Sequence, residues 1–472
     1  MVTYPLVCNY VMRERGDTML KRMFEHFTTL CPLPVMVRSL LEKVFCAEQV
    51  NRVFEATAEK QYTRELLFST VVELMSLVVL KIRPSVHAAY QAQAEQVGVS
   101  VQAVYDKLKG VELEVSAELV RASAEALAPI IQQLGGALPP LLPGYEVRIL
   151  DGNALAATEH RLQVLRQTAA GPLPGKSLAV LDPSMMLIRD LFLCEDGHAQ
   201  ERSLLGQVLE HVQPGELYID DRNFCTGGFL WGIAHRRAFF LTRQHQRTPA
   251  WAPLTRWKQA GRTDKGEPVA ERKVRIWDDQ GHSLVLRQIR LRLEEPTRDG
   301  DEVMYLLTNV PRRVRASQLA ALYLKRWTVE TVFQLLTTVL RCEINTLGYP
   351  AAALFSFCLA VVAYNLLATV RAALRSVHGA EKVEAEVSSY YLAEEIAGVY
   401  RGMMLFLPPP LWRRFQTMPV DDLARWLQSL ARHVPLPRYR RHPRGPKKPK
   451  QAMRRKNAGH VATSRLLNAA SR

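Results

Sequence analysis

Apolar residues recur every three or four positions through most of residues 1–135. The segments LPVMVRSLLEKVFCAEQVNRVFE and RELLFSTVVELMSLVVLKI show this spacing, as does SAELVRASAEALAPIIQQL, which stops at Gly135-Gly136. Such spacing predicts amphipathic helices, with the glycine pair as a stop. Residues 1–140 therefore read as a helical N-terminal domain.

The period changes after the proline-rich stretch LPPLLPGY. VRILDGNAL, SLAVLD and MMLIRDLFLCEDG are short apolar runs, the last two reading as a hairpin around Pro183-Ser184. Ala199 to Val212 then reads as a helix, ELYIDD as a strand, FCTGGFLWGIAHRR as a helix and FFLTRQH as a strand. Three strands followed by helix, strand, helix and strand predict an α/β fold with a mixed sheet over residues 141–244. Residues 245–312 alternate in a β pattern between Asp-Lys-Gly, Asp-Gln-Gly and Arg-Asp-Gly turns, which predicts a mostly β insertion. Helical spacing returns over 313–376 and continues less regularly over 377–432. Residues 351–370 are long and apolar enough to span a membrane, but Ser356, Tyr364 and Asn365 interrupt them and no second such run accompanies them, so a buried core helix with no membrane contact is expected.

Charge adds something that the pattern does not. The net charge is +16, yet residues 438–472 hold twelve Lys and Arg and no acid, leaving the rest of the chain only mildly basic. Residues 433–472 thus read as a basic tail without a core, disordered alone and suited to lying along phosphates through Lys447, Lys448, Lys450, Arg454, Arg455 and Lys456. The seven cysteines are scattered and never spaced as C-x-x-C, which argues against a disulfide framework or structural zinc site and suits a reducing, cytoplasmic compartment. His160 and His198 have no neighbours at metal-ligand spacing.

Three acids stand where an α/β fold presents functional groups. Asp151 is read at the end of the first strand, Asp221 at the close of the fourth, and Glu330 on the helix after the β insertion. Oxygen ligands from separate elements suit Mg2+ or Mn2+, and two such ions can drive an in-line phosphodiester displacement. Singly, each acid has an ordinary role: a turn, a helix cap, a solvated face. The stretch ALYLKRWTVETVFQLL raises their standing. On one ideal helix Tyr323, Arg326 and Glu330 fall within about 60° of each other, presenting a carboxylate, a guanidinium able to grip phosphate and a phenol. The ordinary alternative is a surface Glu–Arg pair four residues apart.

YLKRWTVETVF resembles the Tyr-x-x-Arg-x-x-x-Glu signature of bacterial insertion-sequence DDE transposases with a ribonuclease H-like core. DGN at Asp151 and DRNF at Asp221 match that family's first two acidic motifs, at separations of 70 and 109 residues. The resemblance covers most of the chain. It implies that Asp151, Asp221 and Glu330 are metal ligands and catalytic, that Tyr323 and Arg326 contact the DNA backbone, and that Asp221 rather than Asp220 is the second acid, since it directly precedes Arg-x-Phe. It implies a ribonuclease H-like mixed sheet flanked by helices and interrupted by the β insertion. The partners would be double-stranded DNA, as terminal inverted repeats and target, bound by a homodimer in the bacterial nucleoid. The family's lysine seven residues after the glutamate is Thr337 here. Arg341, about 20° from Glu330 on an extended wheel, is the candidate replacement. Trp251, Trp257 and Trp277 are candidates for stacking on an extruded base, with strand core the stronger reading for Trp277. The competing readings are a ribonuclease H-like nuclease that does not join strands, and a DNA-binding derivative that has lost catalysis.

Overall fold

The computed structural model describes residues 19–61, 63, 65–296, 300–442 and 459–471. The chain forms two compact units. One contains residues 138–334, 345–354 and 459–472; the other contains residues 1–137, 335–344 and 355–458.

The first unit is built on one ten-stranded sheet. Its strands are β1 (Glu146–Ala154), β3 (Lys176–Asp182), β4 (Leu187–Cys194), β5 (Glu216–Asp220), β6 (Phe239–Arg243), β7 (Ala250–Pro253), β8 (Lys258–Arg262), β9 (Pro268–Trp277), β10 (Ser283–Arg292) and β11 (Val303–Thr308). The order is β4-β3-β1-β5-β6-β11-β10-β9-β7, with β8 also pairing with β9. β3 runs antiparallel to both of its neighbours, β4 and β1, whereas β1, β5 and β6 run parallel. The expected mixed α/β sheet is present. The β segment after β6 is not a separate layer. β11 pairs with β6, so β9 to β11 widen the same sheet.

Side-chain alternation decides what each face does. Leu150, Tyr218, Phe240 and Leu307 point to one face, where they pack with helices α9 (Leu205–His211) and α10 (Gly227–His235) in a buried apolar cluster. Ile149 and Ile219 point to the other face and are equally buried. Burial on both faces explains the unbroken apolar runs in β3 and β5. At the start of β1, buried Arg148 bonds Glu216 of β5 at 2.8 Å and Asp182 of β3 at 3.1 Å, pinning the three central strands together. Helix α11 (Ala316–Tyr323) lies against β8, β9 and β10. A 3-10 turn, Leu324–Trp327, then leads into α12 (Thr328–Thr338).

The second unit is helical. It contains α2 (Pro32–Val44), α3 (Ala47–Thr57), α4 (Phe68–Val79), α5 (Val86–Gln91), α6 (Ala94–Val97), α7 (Val101–Lys109) and α8 (Leu113–Leu134), preceded by a helical stretch over residues 19–30, α1. The long helix α13 (Pro350–His378) enters this unit at Phe355 and is followed by α14 (Ala380–Glu386), α15 (Ser389–Phe406) and α16 (Val420–Arg432). The membrane-length window of α13 is completely buried inside the protein, as a core helix requires. Gly135 stops α8 by capping it in the left-handed conformation, φ 64°, and Gly136 allows a close approach: a Cβ there would come 2.2 Å from the carbonyl oxygen of Ala372. Residues 355–376, which the sequence places with the α/β core as part of 313–376, group instead with the N-terminal helices.

The basic C-terminal stretch is not uniform either. Residues 460–462 form β12 (His460–Ala462), which pairs in parallel with a short strand, β2 (Gly171–Leu173), and α17 (Thr463–Ala470) follows. Thr463 is fully buried, and Arg465 is ion-paired with Asp196 at 2.8 Å. Lys447, Lys448, Lys450, Arg454, Arg455 and Lys456 lie outside the described residues.

Candidate active site

The site forms where the parallel ladder between β1 and β5 runs out. That ladder ends at Ile149 opposite Ile219. Asp151 and Asp221 each lie two residues further on, so both share the face of those isoleucines. β1 does not stop at Asp151, because its antiparallel pairing with β3 continues through Gly152 and Asn153 to Ala154. The Asp-Gly pair, read from the sequence as a turn, is therefore interior strand. Asp220 has the opposite parity and faces the apolar cluster beside Thr242, its neighbour in the ladder. It is fully buried, and neither carboxyl oxygen has a well-formed hydrogen bond. Burial pushes its pKa well above the usual carboxylate range, partly offset by the Thr242 hydroxyl. Asp220 is thus on the wrong face to join Asp151, and Asp221 is on the right one.

The third acid reaches Asp151 through an arginine. Arg326 donates from Nη1 to Asp151 Oδ2 at 2.7 Å and from Nη2 to Glu330 Oε1 at 3.0 Å. Its side chain is 9% exposed while that of Glu330 is 54% exposed, so the guanidinium lies beneath and the glutamate at the rim. Tyr323, Arg326 and Glu330 do lie together, but not on one unbroken helix, since side chains three apart eclipse in a 3-10 turn. The 3-10 turn interrupts the helix between Tyr323 and Thr328, and Tyr323 is buried, 3% exposed. Burial, with Asp221 next, raises its phenol pKa. The Arg326–Glu330 pair at four residues does form, but Arg326 is also anchored to Asp151, which a surface pair alone does not provide.

The electrostatics follow from burial and crowding. Burial pushes the Asp151 carboxyl up to about 6. The Arg326 guanidinium and the Gly152 N–H, at 3.0 Å, pull the other way, and the Glu330 and Asp221 carboxylates add to the rise. Burial by itself would lower Arg326, yet the surrounding groups, Asp151 foremost, more than reverse this. The Arg326 Nε is buried without a hydrogen-bond partner. Asp221 accepts the Arg222 N–H at 2.7 Å.

Three hard oxygen donors around a buried positive charge match the donor chemistry of Mg2+ or Mn2+. Among the described residues, no three His, Cys, Asp or Glu converge closely enough to hold an ion as they stand. Arg326 bonds both Asp151 and Glu330, so its guanidinium must withdraw before those two carboxylates can share a cation.

Other candidates from the sequence are placed differently. α12 ends at Thr338, so Arg341 lies beyond the helix and the wheel angle that recommended it does not apply. Its Nη1 donates to the Pro84 carbonyl within the helical unit. Trp257 is flanked by two guanidiniums, Arg272 at 4.3 Å and Arg290 at 4.8 Å from its ring centre. Trp251 is 36% exposed, with Arg272 at 5.0 Å. Trp277 ends β9, opposite Ser283 and Ala250. The sequence reading passed over Glu201 and Asn223, which are joined at 2.6 Å on the opposite side of Gly152 from Asp151. The Asn in DRNF was the only local signal for them.

Residues 143–366 match the family model described as "Transposase DDE domain", a stretch that includes all three acids. A curated relative from Sinorhizobium fredii, "Putative transposase y4zB", is 30% identical over 156 residues. That alignment spans 33% of this chain and 43% of the relative, so the chain covers less than half of the relative's length. Among solved structures, a piggyBac transposase synaptic complex with hairpin DNA aligns over 80% of this chain and 81% of its own, at 11% identity and a TM-score of 0.37.

Proposed function

We propose that the chain is a DNA transposase, cutting at the ends of a mobile element and joining the freed 3′-hydroxyl to target DNA. One observation carries the proposal: within the stretch that matches the transposase DDE domain, Asp151 and Asp221 leave adjacent parallel strands on one face, and Arg326 ties Asp151 to Glu330.

Asp151, Asp221 and Glu330 would hold the divalent cations, which when bound supply an activated oxygen nucleophile and a counter-charge for the leaving oxygen. The protein's own groups perform the remaining work. Burial of Asp151 makes its negative charge costly, and Arg326 offsets only part of that cost in the metal-free protein. Once released, the Arg326 guanidinium has the fork geometry to hold a phosphate through two N–H donors. Tyr323, packed behind Arg326, keeps that segment on the sheet rather than reaching DNA from the surface. The basic segment from Lys447 to Lys456 binds the backbone of terminal repeats or target, and the N-terminal helices take part in holding the ends. The assembly is a homodimer on DNA, working in the bacterial cytoplasm at the nucleoid.

A second reading, a DNA-binding derivative without catalysis, draws on Thr337 and on the closed Arg326 pairing. One experiment separates the readings. The full chain is incubated with Mg2+, a labelled duplex carrying the DNA that borders its gene, and supercoiled plasmid. Transposition predicts cut ends and covalently joined plasmid, both lost in Glu330→Gln. Cutting without joining favours a nuclease, and no cutting favours the derivative. Cutting unchanged by Glu330→Gln overturns the site assignment.

A further inference from the structure

The ladder between β1 and β5 ends at Ile149 and Ile219, so no strand pairing fixes the separation of Asp151 from Asp221 two residues later. Something else must hold the two aspartate-bearing segments, and the opposite face of the sheet provides it. Glu201 opens a 3-10 turn, Glu201–Leu204, that leads into α9. Its Oε2 accepts a hydrogen bond from Asn223 Nδ2 at 2.6 Å. The next residue, Arg202, donates from Nε to the Asn223 carbonyl, also at 2.6 Å. Asn223 is thereby gripped by side chain and main chain, two residues after Asp221. The same Glu201 carboxylate rests directly on Gly152, beside Asp151. A Cβ at Gly152 would lie 2.3 Å from Oε1 and 2.5 Å from Cδ of Glu201, closer than any real contact.

The geometry points to Glu201 as a positioning residue that clamps the two aspartate-bearing segments together. It touches Gly152 on one and Asn223 on the other, and approaches from the face that Asp151 and Asp221 leave free. This accounts for two features at once. Glycine follows Asp151 because no side chain fits beneath the clamp, and asparagine follows Asp221 at two residues because its amide is the group that the clamp holds. Glu201 acts through these neighbours and is not itself a ligand. Partners of this kind commonly change metal affinity by about 10- to 100-fold when removed. The inference rests on the proposal that Asp151 and Asp221 hold a divalent ion.

The test is Mn2+ binding to the full chain, read from the loss of the free-ion electron paramagnetic resonance signal, with thermal unfolding of each variant alongside. Wild type binds Mn2+ and Asp221→Asn does not. Glu201→Ala weakens binding about tenfold or more, and Glu201→Gln, which keeps an oxygen for Asn223, restores most of the loss. Gly152→Ala also weakens binding because it displaces the clamp, and adding Glu201→Ala to it costs nothing further. If Glu201→Ala fails to fold, Gly152→Ala carries the same test with Glu201 intact. Wild-type affinity in both Glu201→Ala and Gly152→Ala overturns the clamp while leaving the metal site standing. A loss in Glu201→Gln as large as in Asp221→Asn makes Glu201 a ligand and overturns the positioning role. A wild-type chain that takes up no Mn2+ overturns the metal reading, and the clamp with it.

Discussion

Replacing Asp151 by asparagine should make the metal-free protein more stable while removing a ligand. In the fold, burial pushes the Asp151 carboxyl up to about 6. In an unfolded chain the same group ionises near ~3.9. Between those values the folded state keeps a proton that the unfolded state has released. Stability therefore falls as pH rises through that window, and the loss persists above it. A difference of about two units at ~1.4 kcal/mol each gives roughly 3 kcal/mol at neutral pH. That figure already includes the attraction of Arg326. The Asp151 side chain is 16% exposed, and its access to water brings the expectation down to between about 1 and 3 kcal/mol. Asparagine carries no charge in either state and escapes the cost. Urea unfolding in EDTA should show Asp151→Asn more stable than wild type at pH 7.5, with the gain shrinking to about 1 kcal/mol or less at pH 4.5. A variant less stable than wild type at pH 7.5, or a gain that ignores pH, would refute the burial argument.

Other substitutions test the surroundings. Thr337→Lys, at an exposed position of α12, should raise DNA affinity and steepen its dependence on log salt by about 0.9, measured by fluorescence anisotropy from 50 to 200 mM salt; an unchanged slope removes that position from the interface. Changing Lys447, Lys448, Lys450, Arg454, Arg455 and Lys456 together to glutamine should flatten the same slope by up to about 5 and weaken all duplexes alike. A loss confined to one sequence would instead indicate base recognition. Arg465→Ala should cost less than about 1 kcal/mol, since its pair with Asp196 is largely exposed, as a urea melt would show. A larger loss would mean that the pair does more than hold α17.

Much of the sheet was legible because alternation and turn residues are local. The Pro183-Ser184 hairpin and the strands on either side of α10 fall where the apolar runs put them. Asp221 could be preferred over Asp220 from the Arg-x-Phe that follows it, and strand parity puts Asp221 rather than Asp220 on the face of Asp151. The remainder depended on contacts that local pattern does not encode. The spacing of ALYLKRWTVETVFQLL suits one helix, and nothing in it marks the 3-10 turn over Leu324–Trp327. Helix α13 is apolar on all sides, so its sequence shows that it is buried but not which helices bury it. Asp-Gly is a turn signal in most settings, and only Glu201, distant in sequence, makes glycine necessary inside a strand. β12 is three residues long and is fixed by β2, almost 300 positions earlier in the chain.

The central claim is that Asp151, Asp221 and Glu330 hold one metal centre, and Fe2+-directed backbone cleavage tests it most directly. With hydrogen peroxide as oxidant and ascorbate to re-reduce the iron, Fe2+ bound in place of Mg2+ generates hydroxyl radicals that cut the polypeptide nearest the ion, and mass spectrometry locates the cuts. Cuts are expected beside residues 151, 221 and 330, suppressed by excess Mg2+ and abolished in Asp221→Asn. Cuts located elsewhere, or unchanged in that variant, would contradict the claim.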